Sequence, residues 1–211
     1  MAKLIWGADG ERTFETGVDR GVLYVPGLAG VPWNGLKAVK EAPSGGDPRP
    51  FYLDGFKYAN LASAEEFNAS IEALSSPPEF AVCDGQVRLA AGLMATQQPR
   101  KPFGMSYRTR VGNDLQGVEA GYKIHLVYNA LAAAGDRENT TTTQDIDPMS
   151  LTWEITTRPP LAVGYKPTAH FVISTRDLAT EVLIALETIL YGDPATTPSL
   201  PTQAALIALL S

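Results

Sequence analysis

The chain has 211 residues, of which 45% are apolar and 19% are charged, and its formal net charge is −6. This apolar share is enough for a sizeable core and excludes wholesale disorder. A net-negative chain is also poorly suited to gripping phosphate backbones, because that affinity comes mainly from Lys and Arg, so a DNA-binding module is disfavoured.

Period-2 alternation, which is typical of half-buried strands, dominates the predicted secondary structure. In chain order we predict strands over residues 3–6, 21–25, 33–41, 67–74, 103–111, 122–131, 151–156 and 169–173. Segment 67–74 contains helix-favouring residue types, but its alternation is strict and we assign it to a strand. Segments 103–111 and 122–131 are predicted to form an antiparallel hairpin with a long connection.

Two helices are predicted near the C-terminus. The first spans 175–190, with Ser174 or Thr175 as its cap, and Gly192 ends it. The second spans 204–210 with Thr202 as its cap. Neither is long enough to cross a membrane. The N-terminus has no signal-peptide pattern, and we expect a soluble protein made inside a cell.

Two long segments between the predicted strands are interpreted as loops. They cover residues 42–50, rich in Gly and Pro, and residues 133–148. Loops of this length inside a compact β domain usually carry function. We find no linker with a core on each side, so the sequence predicts a single domain over residues 1–211 that is mainly β.

The residues that could carry chemistry are few. His125 and His170 lie on polar faces of different predicted strands, and we interpret them as ordinary half-exposed histidines. They could in principle meet the single cysteine, Cys83, as a thiol–imidazole pair, but nothing local supports this. No zinc-ligand spacing and no phosphate loop is present. The sequence therefore predicts a protein without catalytic activity, cofactor or metal.

A basic cluster lies on the predicted strand 103–111. Arg108 and Arg110 share one strand face with Ser106, and Met105 and Tyr107 lie on the other face. Three interpretations remain open: a nucleic-acid contact, a row of salt bridges between subunits, or a solvated face that pairs with carboxylates on a neighbouring strand.

Several stretches, taken in order, are similar to a known family. They are 33–39, 41–45, 52–58, 67–74, 78–80, 83–85, 97–104, 121–129 and 200–202. Together they resemble the major tail tube proteins of long non-contractile-tailed bacteriophages, especially those of actinobacterial hosts. The resemblance runs from about residue 6 to residue 210. It departs from the family where an aromatic is expected before the proline, because the chain has Leu74-Ser75-Ser76-Pro77-Pro78 there.

The resemblance implies a β-sandwich or barrel-like fold of two packed antiparallel sheets, with a flanking α-helix and a short C-terminal helix. It implies hexameric rings that stack around a tape measure protein, with tail terminator and tail-tip proteins as further partners. The tube would conduct DNA to the host without binding it specifically. The expected location is the virion tail, assembled in the host cytoplasm, with no membrane contact.

Eight residues are candidates for contacts between such subunits, because they lie in the long loops, in the basic cluster or in a stretch that carries the resemblance. They are Trp33, Asn34, Asp47, Arg49, Arg108, Arg110, Arg137 and Asn139.

Other functions remain open. One is an inner-tube protein of a contractile injection or secretion apparatus. Another is a β-sandwich binding module, which would need a platform of exposed aromatics, for which Trp33 and Tyr52 are the candidates. A third is a hydrolase that uses Cys83 or Ser106.

Overall fold

The structure is a computed structural model that describes residues 4, 6–135, 137–139, 141, 148–162 and 164–211. Its elements, in chain order, are β1 (Thr13–Tyr24), β2 (Val31–Pro32), β3 (Leu36–Glu41), β4 (Ser44–Gly45), β5 (Pro48–Leu53), β6 (Phe56–Ala62), β7 (Glu65–Glu66), β8 (Asn68–Ala73), β9 (Val87–Ala90), β10 (Leu93–Ala95), β11 (Phe103–Asn113), β12 (Gly117–Ala132), β13 (Leu151–Thr157), β14 (His170–Ser174), α1 (Thr180–Tyr191) and α2 (Gln203–Leu210). The predictions of a mainly β chain and of two helices near the C-terminus are confirmed.

Eight strands form one antiparallel sheet in the order β2-β1-β11-β12-β13-β8-β3, with β14 also paired to β12. The long strand β12 pairs with two different strands along the same edge. Its residues 123–127 pair with β14, and its residues 130–132 pair with β13. Leu23, Met105 and Val127 from one half of the sheet share a buried cluster with Ile71 and Trp153 from the other half. The two predicted sheets are therefore two halves of one sheet that pack on each other and are joined through β12.

The alternation of β12 is interrupted at Asn129. Leu126 and Tyr128 share the face that packs against the helices, and Val127 faces the core between the two halves. Strict alternation over segment 122–131 puts Ala130 on the same face as Tyr128, but Ala130 packs with Val127 in the core. The reason is that Asn129 has a φ of 49°, a left-handed conformation that Asn tolerates better than most residues, and it turns the following side chains over.

Helices α1 and α2 cover the outer face of the β1–β11–β12 half. Leu186, Leu190 and Leu206 are buried there with side chains of β1 and β12. Gly192 ends α1 with a φ of 79°, and the Thr202 side chain accepts a hydrogen bond from Ala205 N–H at the start of α2 (3.3 Å). The predicted end of the first helix at Gly192 and the predicted cap of the second helix by Thr202 are both confirmed.

The start of α1 differs from the prediction. The helix begins at Thr180, and residues 175–177 form a 3₁₀ turn. Ala179 is the residue before the helix and provides no side-chain cap. The Thr175 hydroxyl bonds the backbone of Tyr122 instead, accepting from its N–H (3.2 Å) and donating to its C=O (2.8 Å). Thr175 therefore ties the turn to β12.

Residues 36–73 form one long β-hairpin. Strand β3 pairs with β8, β4 with β7, and β5 with β6. The hairpin turns at Asp54–Gly55, where φ is 51° and 80°, as in the type I′ turns that favour Asp-Gly. The loop predicted over residues 42–50 is therefore wrong, since that segment contains β4 and the start of β5. Residues 44–66 are called the arm below.

Outside the sheet and the arm, β9 and β10 form a second two-stranded hairpin. The predicted strand 3–6 lies partly outside the described residues, and the described Leu4 and Trp6 belong to no strand. Within the predicted loop 133–148, the described residues belong to no helix or strand, and 136, 140 and 142–147 lie outside the description. In the part of the chain that the structure describes, neither helix is long and apolar enough to cross a membrane.

Candidate assembly surface

The arm presents large apolar side chains to solvent. Residues directly opposite each other in an antiparallel pair share a face, and Leu53 lies opposite Phe56 in the arm. Phe51 shares this face by alternation along β5. Leu61 lies opposite Arg49 on the same face, because a register shift adds one residue to β6 between Phe56 and Leu61. One face therefore carries Phe51, Leu53, Phe56 and Leu61. These four side chains are between 50% and 76% exposed. An isolated two-stranded hairpin is marginal in water, so the apolar face of the arm needs a covering partner.

Two of the predicted contact residues belong to the arm. Asp47 and Arg49 are exposed, and Arg49 lies opposite Leu61 on the apolar face. Further aromatics, Tyr52 and Tyr58, are exposed as well. The arm thus combines apolar, aromatic and charged groups, as the buried core and polar rim of protein interfaces do.

The second hairpin has the same character. Val87, Leu89, Leu93 and Met94 are exposed along β9 and β10. The strands turn at Ala91–Gly92, where Gly92 has a φ of 76°. This hairpin is a second candidate for burial against a partner.

The predicted contact residues Trp33 and Asn34 lie in different environments. Trp33 is 3% exposed, and its ring lies 4.7 Å from that of Phe80. Its indole N–H donates to the C=O of Ser75 (2.9 Å). Trp33 is thus a core residue, and it offers a partner neither a contact surface nor an aromatic platform. Asn34 is exposed, and its C=O accepts a hydrogen bond from the Ser75 hydroxyl (2.8 Å).

Arg108 and Arg110 share one carboxylate within the chain. Arg108 donates to both oxygens of Asp19 (2.8 and 3.0 Å), and Arg110 donates to one of them (3.1 Å). The hydrogen bond from Arg108 lowers the pKa of Asp19, although burial acts in the opposite direction. The Arg108 guanidinium lies over the Tyr122 ring, 4.3 Å from its centroid. Of the three interpretations, pairing with a cross-strand carboxylate is therefore observed. Arg108 is buried by these contacts, whereas Arg110 stays exposed and open to a neighbour.

Arg137 lies against a buried carboxylate. Its guanidinium donates to Asp84, which also accepts from the Trp153 indole N–H (3.1 Å). Arg100 contacts Asp84 as well (3.4 Å) and donates to the C=O of residues 132 and 133 (3.1 and 2.8 Å). These contacts tie the start of segment 133–148 to the core. Asn139 is exposed.

Sequence reasoning missed a cluster of polar side chains on the core-facing side of β12. His125 and His170 lie on the paired strands β12 and β14, and their facing nitrogens, Nδ1 and Nε2, are 3.1 Å apart. Glu41, at the end of β3, places Oε1 3.4 Å from His125 Nδ1. Tyr107 O–H donates to that same carboxylate (2.9 Å), and Thr109 Oγ1 lies 3.0 Å from His125 Nε2. No sequence spacing could have revealed this, because the three ligand-type residues come from three distant strands.

Burial controls the charge of the two histidines. Burial, and then the neighbouring His170, lower the pKa of His125 to about 4, although Glu41 and Glu15 act against this. Burial also lowers the pKa of His170, and Glu41 again opposes the change. The pair is therefore neutral near pH 7, and the prediction of half-exposed histidines is wrong for His125, which is buried.

The nucleophiles considered from the sequence lie in the core. Cys83 is fully buried, and burial raises the pKa of its thiol to about 11. Among the described residues, the cluster of Glu41 with the two histidines includes no cysteine. Ser106 is fully buried too, with its hydroxyl 3.1 Å from that of Tyr24. Neither side chain reaches solvent.

The chain was compared with protein families, curated proteins and solved structures. No protein-family model matches the chain, and no curated protein matches its sequence. Among solved structures, the chain is similar to one in the cryo-EM structure of the anti-feeding prophage (AFP) baseplate, 6-fold symmetrised. That match is 10% identical with a TM-score of 0.38, and it covers 74% of this chain and 95% of the other. A TM-score at this level does not establish a shared fold, and the similarity carries no functional conclusion.

Proposed function

We propose that the chain is a structural subunit that assembles with copies of itself into the stacked hexameric rings of a phage tail tube. The observation that carries the proposal is the apolar face of the arm, which is exposed in the single chain and needs a cover. The sequence resembles tail tube proteins, and this resemblance implies rings built from copies of one subunit. We therefore propose that another copy of this chain covers the apolar face. The proposal includes no catalytic step.

The sheet itself offers further surfaces for self-association. Strands β3 and β14 each have a side that pairs with no other strand among the described residues. An open strand edge is a template for pairing with another chain, and a heterologous contact that repeats by rotation closes into a ring. Edges joined in this way around a ring would line its interior, as in a barrel.

The charge of the chain fits a conduit for DNA. The formal net charge of −6 comes from 23 acidic and 17 basic residues. Part of the basic set is already paired within the chain, since Arg108 and Arg110 both contact Asp19. An interior that is neutral or negative repels phosphates and lets DNA pass without binding. The tape measure, terminator and tip proteins are partners in the same proposal.

A second function, carbohydrate binding, is favoured by one observation. Phe51 and Phe56 are exposed on the same face near the tip of the arm and together offer an aromatic platform, while the sequence candidate Tyr52 is exposed on the other face. Sugar rings bind to such platforms through their apolar faces. Under this alternative, the aromatic residues of the arm would bind soluble glycans in a chain that stays monomeric.

The test is a pair of variants compared in sedimentation velocity over a range of protein concentrations. The first replaces Leu53 and Phe56 together by Ser, which removes two opposed apolar side chains from the arm. The control replaces Leu115 by Ser, because Leu115 is 68% exposed in the turn between β11 and β12 and lies outside the arm. Circular dichroism checks that both variants are folded.

We expect the unaltered chain and Leu115→Ser to form large particles as concentration rises, and the arm variant to remain monomeric. If the arm variant assembles like the unaltered chain, the apolar face of the arm is not an assembly surface. If all three chains stay monomeric and the unaltered chain binds glycans, the second function replaces the first.

A further inference from the structure

The cluster of Glu41, His125 and His170 has the composition of a metal site. Two imidazole nitrogens and a carboxylate oxygen lie within 4.8 Å of one another in it. We propose that these three residues bind one divalent transition-metal ion of the zinc class, with a water as the fourth ligand. The proposal is independent of self-assembly, since all three residues belong to one chain.

The spacing of the three atoms supports a tetrahedral ion. Around zinc, bonds of about 2.0–2.1 Å place neighbouring ligand atoms about 3.3 Å apart. The two nitrogens of the cluster are 3.1 Å apart, and the carboxylate oxygen lies 3.4 Å from His125 Nδ1 and 4.0 Å from His170 Nε2. Glu41 is the exposed member of the cluster, so a movement of its side chain can shorten the longest distance.

Neighbouring groups hold the two imidazole rings in place. The ring of His125 is stacked on that of Tyr107 with centroids 4.6 Å apart, and the ring of His170 contacts that of Phe67 at 4.3 Å. Thr109 Oγ1 lies 3.0 Å from the second nitrogen of His125. Metal-binding histidines usually donate this second N–H to an oxygen, which fixes the ring and its tautomer.

The proton balance of metal binding is neutral. Without metal, the facing nitrogens of the two histidines share one N–H···N hydrogen bond, because each neutral ring carries one proton. If His125 Nδ1 holds that proton, the proton must move to Nε2 of the same ring. The new Nε2–H then donates a hydrogen bond to Thr109 Oγ1, since a hydroxyl oxygen can accept as well as donate. If His170 Nε2 holds it, the proton moves to Nδ1 of the same ring. Both facing nitrogens are then free to bind the ion. Their lone pairs point at each other across the 3.1 Å contact, so the rings must turn until the lone pairs converge on the ion.

Charge and access also favour an ion here. Glu41 supplies one negative charge, and a neutral imidazole is the form of histidine that binds metal. His170 lines a groove of about 920 Å³ together with Pro43, Glu65 and Lys166, so an ion can enter from solvent. The bound ion would join the end of β3 to β12 and β14 at the base of the arm.

The experiment is a zinc titration by calorimetry on the full chain after removal of any purification tag and treatment with a chelator. Cobalt replaces zinc in a parallel sample, because its visible absorption reports tetrahedral coordination. The variants are His170→Ala and Glu41→Gln, and the matched control is Glu65→Gln, which removes an exposed carboxylate from the same groove. Circular dichroism verifies that each variant is folded.

We expect one zinc per chain, a tetrahedral cobalt spectrum and a higher melting temperature with zinc. Glu41→Gln should weaken zinc binding by about tenfold or more. Mutating residues that only hydrogen-bond to a metal ligand already costs about 10–100-fold in metal affinity, and Glu41 is proposed as a ligand itself. Glu65→Gln should bind like the unaltered chain, and His170→Ala should not bind. If His170→Ala does not fold, Glu41→Gln decides. The proposal is overturned if the unaltered chain binds no zinc, or if Glu41→Gln and Glu65→Gln bind it equally well.

Discussion

Replacing Phe80 by Ala removes the side chain at the centre of the aromatic core. Phe80 is fully buried, and its ring lies 4.7 Å from Trp33, 5.1 Å from Trp153 and 5.3 Å from Phe103. Truncating a buried Phe to Ala costs about 3–5 kcal/mol, because transfer energy and cavity terms add. Since three aromatic contacts are lost at once, we expect the upper part of this range, about 4–5 kcal/mol.

A matched substitution separates the core from the arm. Phe51→Ala removes the same atoms from a side chain that is 50% exposed, so we expect it to change the free energy of unfolding by less than about 0.5 kcal/mol. Urea unfolding at low protein concentration, followed by tryptophan fluorescence, measures both variants. With a denaturant slope of about 2 kcal/mol per molar, Phe80→Ala should lower the midpoint by about 2 M. Equal midpoints for the two variants would refute this account of the core.

Two further predictions concern β12. Between pH 7 and pH 5 the free energy of unfolding should fall by about 1–2 kcal/mol after allowance for solvent screening, because the folded state resists protonating His125 while the unfolded chain takes up the proton. The loss belongs to the window between the ordinary pKa of 6.5 and the folded value of about 4. Urea unfolding in the presence of a chelator measures this loss. His170→Asn should reduce the loss without abolishing it, because burial, the largest cause of the lowered pKa of His125, remains. Equal stability at both pH values would contradict the prediction. Separately, Asn129→Val should cost about 1–2 kcal/mol, because a β-branched residue is strained at a φ of 49°, while Asn129→Gly should be tolerated. Thermal unfolding compares the two variants. A Val variant as stable as the unaltered chain would refute the predicted backbone strain at residue 129.

Alternation located the strands of the main sheet because each has a face that must be buried. In β8 the burial alternates between partly and fully buried residues along its length, with Ala69, Ile71 and Ala73 inside. This is why the alternation of segment 67–74 outweighed its helix-favouring residue types. Within β12 the alternation fails at Asn129, where the backbone changes conformation.

The arm escaped prediction because its residues do not alternate between buried and exposed. Every residue of β5 is exposed, and Pro48 and Pro50 indicate a turn in a sequence seen alone. Proline is compatible with a strand that has a free edge, which is the situation in a two-stranded hairpin. Asp54–Gly55 between two apolar segments is the signal that could have revealed the hairpin.

The cluster on β12 could not be predicted for a different reason. Glu41, His125 and His170 are brought together by the pairing of β12 with β14 and by the packing of the two halves of the sheet. Strand order is a property of the whole fold, and no local spacing encodes it. The pairing of Arg108 with Asp19 has the same origin, because β1 is longer than the segment 21–25 that the sequence indicated.

Negative-stain electron microscopy of the purified chain over a range of concentrations, with light scattering on the same samples, tests self-assembly most directly. The account predicts hollow tubes or rings whose end-on averages have six-fold symmetry, and scattering that rises steeply with concentration. A chain that remains a monomer or a dimer at every concentration, and that scatters no more than the variant with Ser at positions 53 and 56, would contradict it.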